Sequence, residues 1–270
     1  MPTTSTPERT HQSAVHDAGW DYTVGSPHLR HHRVNARVVD ACRQVVARVL
    51  DRSGTCRVLE VGAGHGAFTD HVAALGAEVH VTEMSESSAA LLRRRFAHNR
   101  RVTVTHDPTG AACHTGPPVD VVLAISVLHH IPDYLGATRA LVERTAPGGA
   151  FVSYQDPLWY PRRSAGDRAA DRAAYLLWRL GRGDLRRGAA TLLRRARGEY
   201  DETNPSDMVE YHVVRSGVDE EALRSLLAAR FASAHLDRYW STQSPWLQSA
   251  GERLAPPNTF GLIATGRLPR

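Results

Sequence analysis

Lysine is missing from this chain: all 33 basic side chains among its 270 residues are arginine, set against 28 acidic ones. That excludes Schiff-base chemistry, a lysine general base and the lysine of a phosphate-binding P-loop. Alongside abundant Ala, Gly and Arg, the absence reads as the coding bias of a GC-rich genome. Cysteine is scarce too. Cys42, Cys56 and Cys113 are odd in number, widely spaced and without a CxxC pair. That excludes a disulfide framework and a structural zinc site, and points to a reducing compartment. No metal is expected. No apolar run approaches the roughly 20 residues that span a bilayer. The first nineteen residues, rich in Thr, Ser, Pro and His, lack the hydrophobic stretch of a secretory leader. The expectation is a soluble, cytoplasmic protein, monomeric or homodimeric, with a loose N-terminal tail and no membrane partner.

The net charge of +5 is unevenly placed. Residues 162–197 hold eleven Arg and three Asp, a local +8, leaving 22 Arg against 25 acidic residues elsewhere. One basic segment therefore sits on a mildly acidic protein, and a chain-wide basic surface is excluded. The length suits one large α/β domain or a domain with an added cap.

Val34, Val38, Val45, Val49 and Leu50 recur at helical spacing and predict a helix over Val34–Arg52. Short apolar strands then alternate with helices. Strands are predicted at Arg57–Val61, Glu78–Thr82, Val102–Thr105, Val119–Ile125 and Ala150–Tyr154, with helices at Ala67–Leu75, Ser85–Phe96 and Leu135–Thr145. Ser85 and Ser88 supply hydroxyl caps for the second of these helices. Strands that are apolar throughout and separated by helices indicate a parallel sheet covered on both faces. The alternation stops at Asp156. The Arg-rich stretch that follows shows helical patterns at Tyr175–Leu180 and Leu185–Leu193, the position of a lid in such a fold. A helix at Asp219–Ala229, capped by Asp219, precedes two strand-like segments, Phe231–Trp240 and Thr259–Gly266, expected as a closing antiparallel pair.

The sharpest local signal is VLEVGAGHGAFT, residues 58–69. A strand runs into a glycine turn and opens a helix. Gly62 and Gly64 permit the tight turn and the close approach of a ligand, and Gly66 permits close packing where the helix begins. The spacing is G-x-G-x-G, shorter than a dinucleotide fingerprint requires. Alone, this is also what any glycine-rich strand–helix turn looks like. Glu83 ends the next strand about twenty residues on, where a carboxylate can accept both hydroxyls of a ribose. Met84 offers a soft apolar face for a purine ring, and Asp107, after the third strand, an acceptor for an adenine amino group. The fourth strand ends in SVLHHIPD, residues 126–133.

In order and spacing these motifs resemble those of class I S-adenosylmethionine-dependent methyltransferases of the bacterial small-molecule type: VLEVGAGHG, VTEMS, HD, AISVLHHIPD and LVERTAPGGAFVSYQDP. The likeness covers Val34–Asp156. It implies a Rossmann-like, doubly wound α/β sheet of seven strands, mostly parallel with an antiparallel final strand, and a helical lid after strand five. The division it implies is a tail and cofactor-covering segment over 1–33, a cofactor-binding core over 34–156, an Arg-rich lid over 157–210 and a sheet-completing segment over 211–270. Gly62, Ala63, Gly64 and Gly66 would line the methionine arm of S-adenosylmethionine, with Glu60 holding its ammonium. Glu83 would take the ribose, Met84 and Asp107 the adenine. Ser126 would sit beside the sulfonium, with Tyr22 and His28 over the cofactor. The adenine loop, HDPTGAA, departs from the family's acidic–hydrophobic pattern.

Methyl transfer asks the protein chiefly to align donor and acceptor. His129 and His130 lie where the methyl would move, and an imidazole there serves as general base or shapes the pocket. His130 is preferred, because a similar E-H-V motif places its His before the apolar residue. Tyr154, Asp156, Trp159, Tyr160 and His212 are further candidates for the acceptor pocket, with aromatic surface from Trp159 and Tyr160 suiting a ring-bearing or lipophilic acceptor. The expected activity is methylation of a small molecule in bacterial secondary metabolism, antibiotic biosynthesis being one setting. Two alternatives stay open. One is an RNA or protein methyltransferase using residues 162–197 as a phosphate-binding arm, although nucleic acid is not the expected partner because SVLHHI lacks the N/D-P-P-aromatic grip on a planar amine. The other is a non-methylating enzyme on the same fold.

Overall fold

The computed structural model describes residues 25–181 and 217–269. The elements follow the predicted alternation. A helical turn, α1 (Pro27–Arg30), leads into α2 (His32–Ser53), then β1 (Arg57–Val61), α3 (Ala67–Ala73), β2 (Glu78–Glu83), α4 (Glu86–Arg95), β3 (Val102–His106) and β4 (Val119–Ile125). After these come α5 (Tyr134–Arg144), β5 (Thr145–Pro157), α6 (Ala165–Gly181), α7 (Glu220–Ala228), β6 (Phe231–Tyr239), α8 (Pro245–Leu254) and β7 (Thr259–Arg267).

Seven strands form one sheet in the order β3-β2-β1-β4-β5-β7-β6. β1 to β5 are parallel, and β7 enters antiparallel between β5 and β6. The expected seven-stranded sheet with an antiparallel last strand is what forms. The strand order reverses between β1 and β4. In open α/β sheets, the crevice beyond the carboxyl ends of two such strands is the ligand position.

Each central strand feeds two cores. Val121, Leu123 and Ile125 of β4 pack on one face with α2, while Val122 and Ala124 pack on the other with α5 and α7. This explains the continuous apolar run in β4. Helix α2 buries Val34, Val38, Val45, Val46 and Val49 on one stripe, and each valine contributes ~1.5–3 kcal/mol before chain entropy is counted. Gly54, at φ +72, ends it by returning its N–H to the Leu50 carbonyl. Ser85 caps α4 by accepting from Ser88 N, and Asp219 caps α7 by accepting from Ala222 N.

Four elements depart from the prediction: α1 has no predicted counterpart, and α6 begins at Ala165, ten residues before the predicted Tyr175. β5 begins at Thr145, five residues early, and runs through Pro147-Gly148-Gly149 with a register shift against β4. α8 has no counterpart in the hydrophobic pattern, because its apolar residues are on the wrong side. Trp246 and Leu254 are 89% and 86% exposed, while Gln248 and Gly251 are buried. Its start is marked instead by local chemistry, Ser244 capping Leu247 N with Pro245 at the first position. The helical pattern expected at Leu185–Leu193 lies outside the described residues. Among the described residues, no helix is long and apolar enough to cross a membrane.

Candidate functional site

The crevice between the ends of β1 and β4 is built first by the loop after β1. Gly62, at φ +66, has no room for a Cβ: one would meet Val127 Cγ2 at 2.7 Å. Gly64, at φ +56, faces open space, with nothing within 4 Å of where its Cβ would stand. The loop thus presses backbone against the β4 turn at one glycine and leaves a cradle at the next. A Cβ on Gly66 would meet Leu92 and Phe96 at 2.8 Å, the close packing anticipated where α3 begins.

Glu83 ties this loop to β2. Its carboxylate accepts from Gly64 N at 2.9 Å and from Ser85 N at 3.1 Å. Burial raises its pKa despite those bonds. Glu60, beneath the loop, accepts from Thr69 Oγ1 at 2.6 Å, and burial pushes its carboxyl up to about 7, with Glu83 adding to the rise. A cationic ligand group above these two carboxyls would lower both pKa values and be favoured in return. Met84 stands half-buried beside them, its carbonyl facing His106 Nε2 at 3.0 Å.

Asp107 is buried and committed to its own loop. It accepts from Ala111 N at 3.0 Å, Ala112 N at 2.9 Å and Cys113 N at 3.2 Å. The short sequence HDPTGAA therefore folds as a carboxylate-organised turn.

On the β4 side, Ser126 takes a left-handed conformation, φ +56, and its N–H donates to the Tyr154 carbonyl at 2.7 Å. A single 3-10 turn, Leu128–His130, follows. His129 Nδ1 lies 2.7 Å from Asp156 Oδ1, which also accepts from His129 N at 3.1 Å. Ser153 Oγ donates to Asp156 Oδ2 at 3.0 Å. Asp156 is fully buried. An Nδ1–H held by a carboxylate sets the tautomer whose lone pair is on Nε2, the arrangement of a general base. The His130 ring lies tilted against that of His129, with ring centroids 4.0 Å apart. The carboxylate thus orients His129, the neighbour of the His130 preferred from the sequence.

His28 closes the crevice from the N-terminal side. Its ring stacks on Phe68 of α3 at 5.8 Å, and burial, with His129 nearby, lowers its pKa to about 3. His28 Nδ1 is buried without a hydrogen-bond partner. A buried polar atom without a partner is one a ligand could satisfy, and the open space at Gly64 and the raised pKa values of Glu60 and Glu83 are compatible with a ligand carrying a cationic group.

The acceptor candidates divide. Asp156 reaches the site only through His129. Tyr154 does not reach it: its ring packs in the core against Gly261 and Tyr239, and burial raises its pKa to about 12. Trp159 lines a cavity of about 280 Å³ beyond β5 with Leu158, Arg162, Arg163 and Arg238. Tyr160 starts the adjoining 3-10 turn. Tyr22 and His212 lie outside the described residues. Thr69 and Ser153 went unread in the sequence. In a regular strand Ser153 and Asp156, three apart, face opposite sides, so their pairing carries no sequence signal.

Residues 59–151 match the family model described as a methyltransferase domain. Over 126 residues the chain is 29% identical to a ubiquinone biosynthesis O-methyltransferase of Ruegeria pomeroyi, covering 44% of this chain and 51% of that protein. Over 74 residues it is 39% identical to a probable ribosomal RNA small subunit methyltransferase A of Haloquadratum walsbyi, 27% of this chain and 24% of that one. The chain thus spans about half the length of the first of these curated relatives and about a quarter of the second. The N-methyltransferase NodS of Bradyrhizobium japonicum, solved with S-adenosyl-L-homocysteine, shares the fold at TM-score 0.51 and 16% identity, covering 97% of this chain and all of that one.

Proposed function

We propose that this chain, which carries a class I S-adenosylmethionine-dependent methyltransferase domain, methylates a hydroxyl group of a small-molecule acceptor, with His129 as general base. The observation that carries this reading is the His129–Asp156 pair at the carboxyl ends of β4 and β5. Bound in the crevice, S-adenosylmethionine supplies an electrophilic methyl group. Glu83 would take its ribose, the Gly62–Gly66 loop would line its amino-acid arm, and Glu60 and His28 Nδ1 would receive its ammonium. Met84 would offer the adenine an apolar face, and Asp107 shapes its own loop after β3.

The remaining work belongs to the chain's own side chains. His129 Nε2 takes the proton of the acceptor hydroxyl as the oxygen attacks. Buried Asp156 stabilises the imidazolium that results, and Ser153 fixes the carboxylate. A charge-assisted pair of this kind, away from water, is worth more than in solution. An uncharged amine attacks through its own lone pair and sheds its proton after the bond forms, whereas a hydroxyl gains from losing its proton during attack, so the buried His–Asp pair supports oxygen. The O-methyltransferase relative agrees with this choice. A role in secondary metabolism is part of the same proposal.

The test is release of S-adenosyl-L-homocysteine from S-adenosylmethionine with panels of phenols, alcohols, primary amines and ribosomal RNA. Turnover with a hydroxyl panel that is lost in His129→Ala supports the proposal. Turnover confined to amines or RNA, or none with any panel, overturns it.

A further inference from the structure

We propose that Gln155 is a positioning residue for the His129–Asp156 pair: the bulge it forms near the end of β5 carries Asp156 onto the face of the sheet where His129 lies. This rests on the reading of His129 as base. Along β5, Val152 and Tyr154 belong to one core and Phe151 to the other. In an unbroken strand Asp156 would follow Val152 and Tyr154, on the face opposite Ser153. Instead Tyr154 pairs with Gly261 and Asp156 with Phe260, leaving Gln155 out of register. One extra residue inverts the alternation. Asp156 then shares a face with Ser153, from whose hydroxyl it accepts at 3.0 Å, and meets His129.

The backbone marks the same place. Gln155 at φ +67 and Ser126 at φ +56 are the two non-glycine residues with positive φ among the described residues. They stand at the ends of adjacent strands, joined through the Ser126 N–H to Tyr154 carbonyl bond of 2.7 Å. One precedes Asp156 directly, and the other precedes the turn that carries His129. A left-handed non-glycine residue persists where its surroundings hold it. Here the Gln155 amide donates to Ser241 Oγ at 2.7 Å and accepts from Tyr239 Oη at 3.1 Å, all three side chains buried. Strain gathered at two positions, both aiming the same pair, assigns the bulge to the site.

Substitution separates backbone from side chain. Gln155→Gly adopts the left-handed conformation freely but loses both side-chain bonds, whereas β-branched Gln155→Val resists that conformation. The readout needs no acceptor: the His129 Nδ1–H signal in the NMR spectrum, assigned from its loss in His129→Gln, whose downfield position reports the hydrogen bond to a carboxylate, with circular dichroism to verify folding. Asp156→Asn is the reference, expected to move that signal upfield as the charged acceptor is lost. Gln155→Val is expected to resemble Asp156→Asn, and Gln155→Gly wild type. Should Gln155→Val not fold, Gln155→Ala is read in the same way. A folded Gln155→Val or Gln155→Ala with the wild-type signal overturns the proposal. So does a Gln155→Gly that shifts as far as Gln155→Val, because the side-chain bonds would then do the positioning. If Asp156→Asn leaves the signal unmoved, it is the reading of the pair that fails, independently of Gln155.

Discussion

Replacing Asp156 by Asn removes one charge from the centre of the site while keeping its shape. Oδ1 would still accept from the His129 backbone N–H, now 3.1 Å away, and from Nδ1, now 2.7 Å away. The new amide would face Ser153 Oγ, which can turn to accept. The fold should therefore survive, at a loss of about 1 kcal/mol for one charge-assisted bond made neutral. The effect on rate is larger. An imidazolium and a carboxylate with charge centres about 4 Å apart attract by about 4 kcal/mol at an effective dielectric constant near 20. The transition state carries only part of that charge, so roughly 2–4 kcal/mol is at stake, or about 30- to 1000-fold in kcat. The assay is S-adenosyl-L-homocysteine release with S-adenosylmethionine and acceptor both saturating, followed across pH. KM for S-adenosylmethionine should hardly change, since the β1 loop is untouched. A kcat close to wild type, with the same pH dependence, would refute the reasoning.

Two further outcomes follow from the cofactor side. Glu83→Ala removes the acceptor for the Gly64 and Ser85 amides. It should weaken S-adenosyl-L-homocysteine binding about 10- to 100-fold, the equivalent of one or two lost buried bonds; unchanged affinity by calorimetry would move the cofactor elsewhere. Glu60 has a folded-state pKa of about 7 against an ordinary 4.5, so folding favours its protonated form. That contribution is complete below pH 4.5 and is lost as pH rises through about 7, amounting to about 3 kcal/mol. Glu60→Gln should flatten this part of the stability curve, measured as Tm against pH without cofactor. Parallel curves for the two proteins would show that Glu60 does not titrate in this window.

The alternation of strands and helices was legible because the central strand β4 is apolar enough to be buried on both faces, as VDVVLAI shows, and shorter valine-containing strands recur between helical patterns. The glycine loop and Glu83 were legible for a related reason: a turn that must approach a ligand requires particular residue types at fixed intervals. α8 was not, since its apolar residues point to solvent and its buried face carries Gln248 and Gly251. Nor was the difference between His129 and His130. Both follow β4 and both are imidazoles, and nothing in LHHI distinguishes them.

What the sequence determined by itself was local and periodic: strand and helix identity, the capping residues, the glycine turn and the residue types available for acid–base work without lysine. The tertiary structure decided what depends on contacts across the chain. It brought Asp156, 27 residues further on, to the ring of His129. It sent the Tyr154 side chain into the core, and it turned Asp107 inward to its own loop. The physical reason is the period of two in a β-strand. One bulged residue reverses which face every later side chain takes, and that choice is made by pairing with β7, not by the residues of β5 alone.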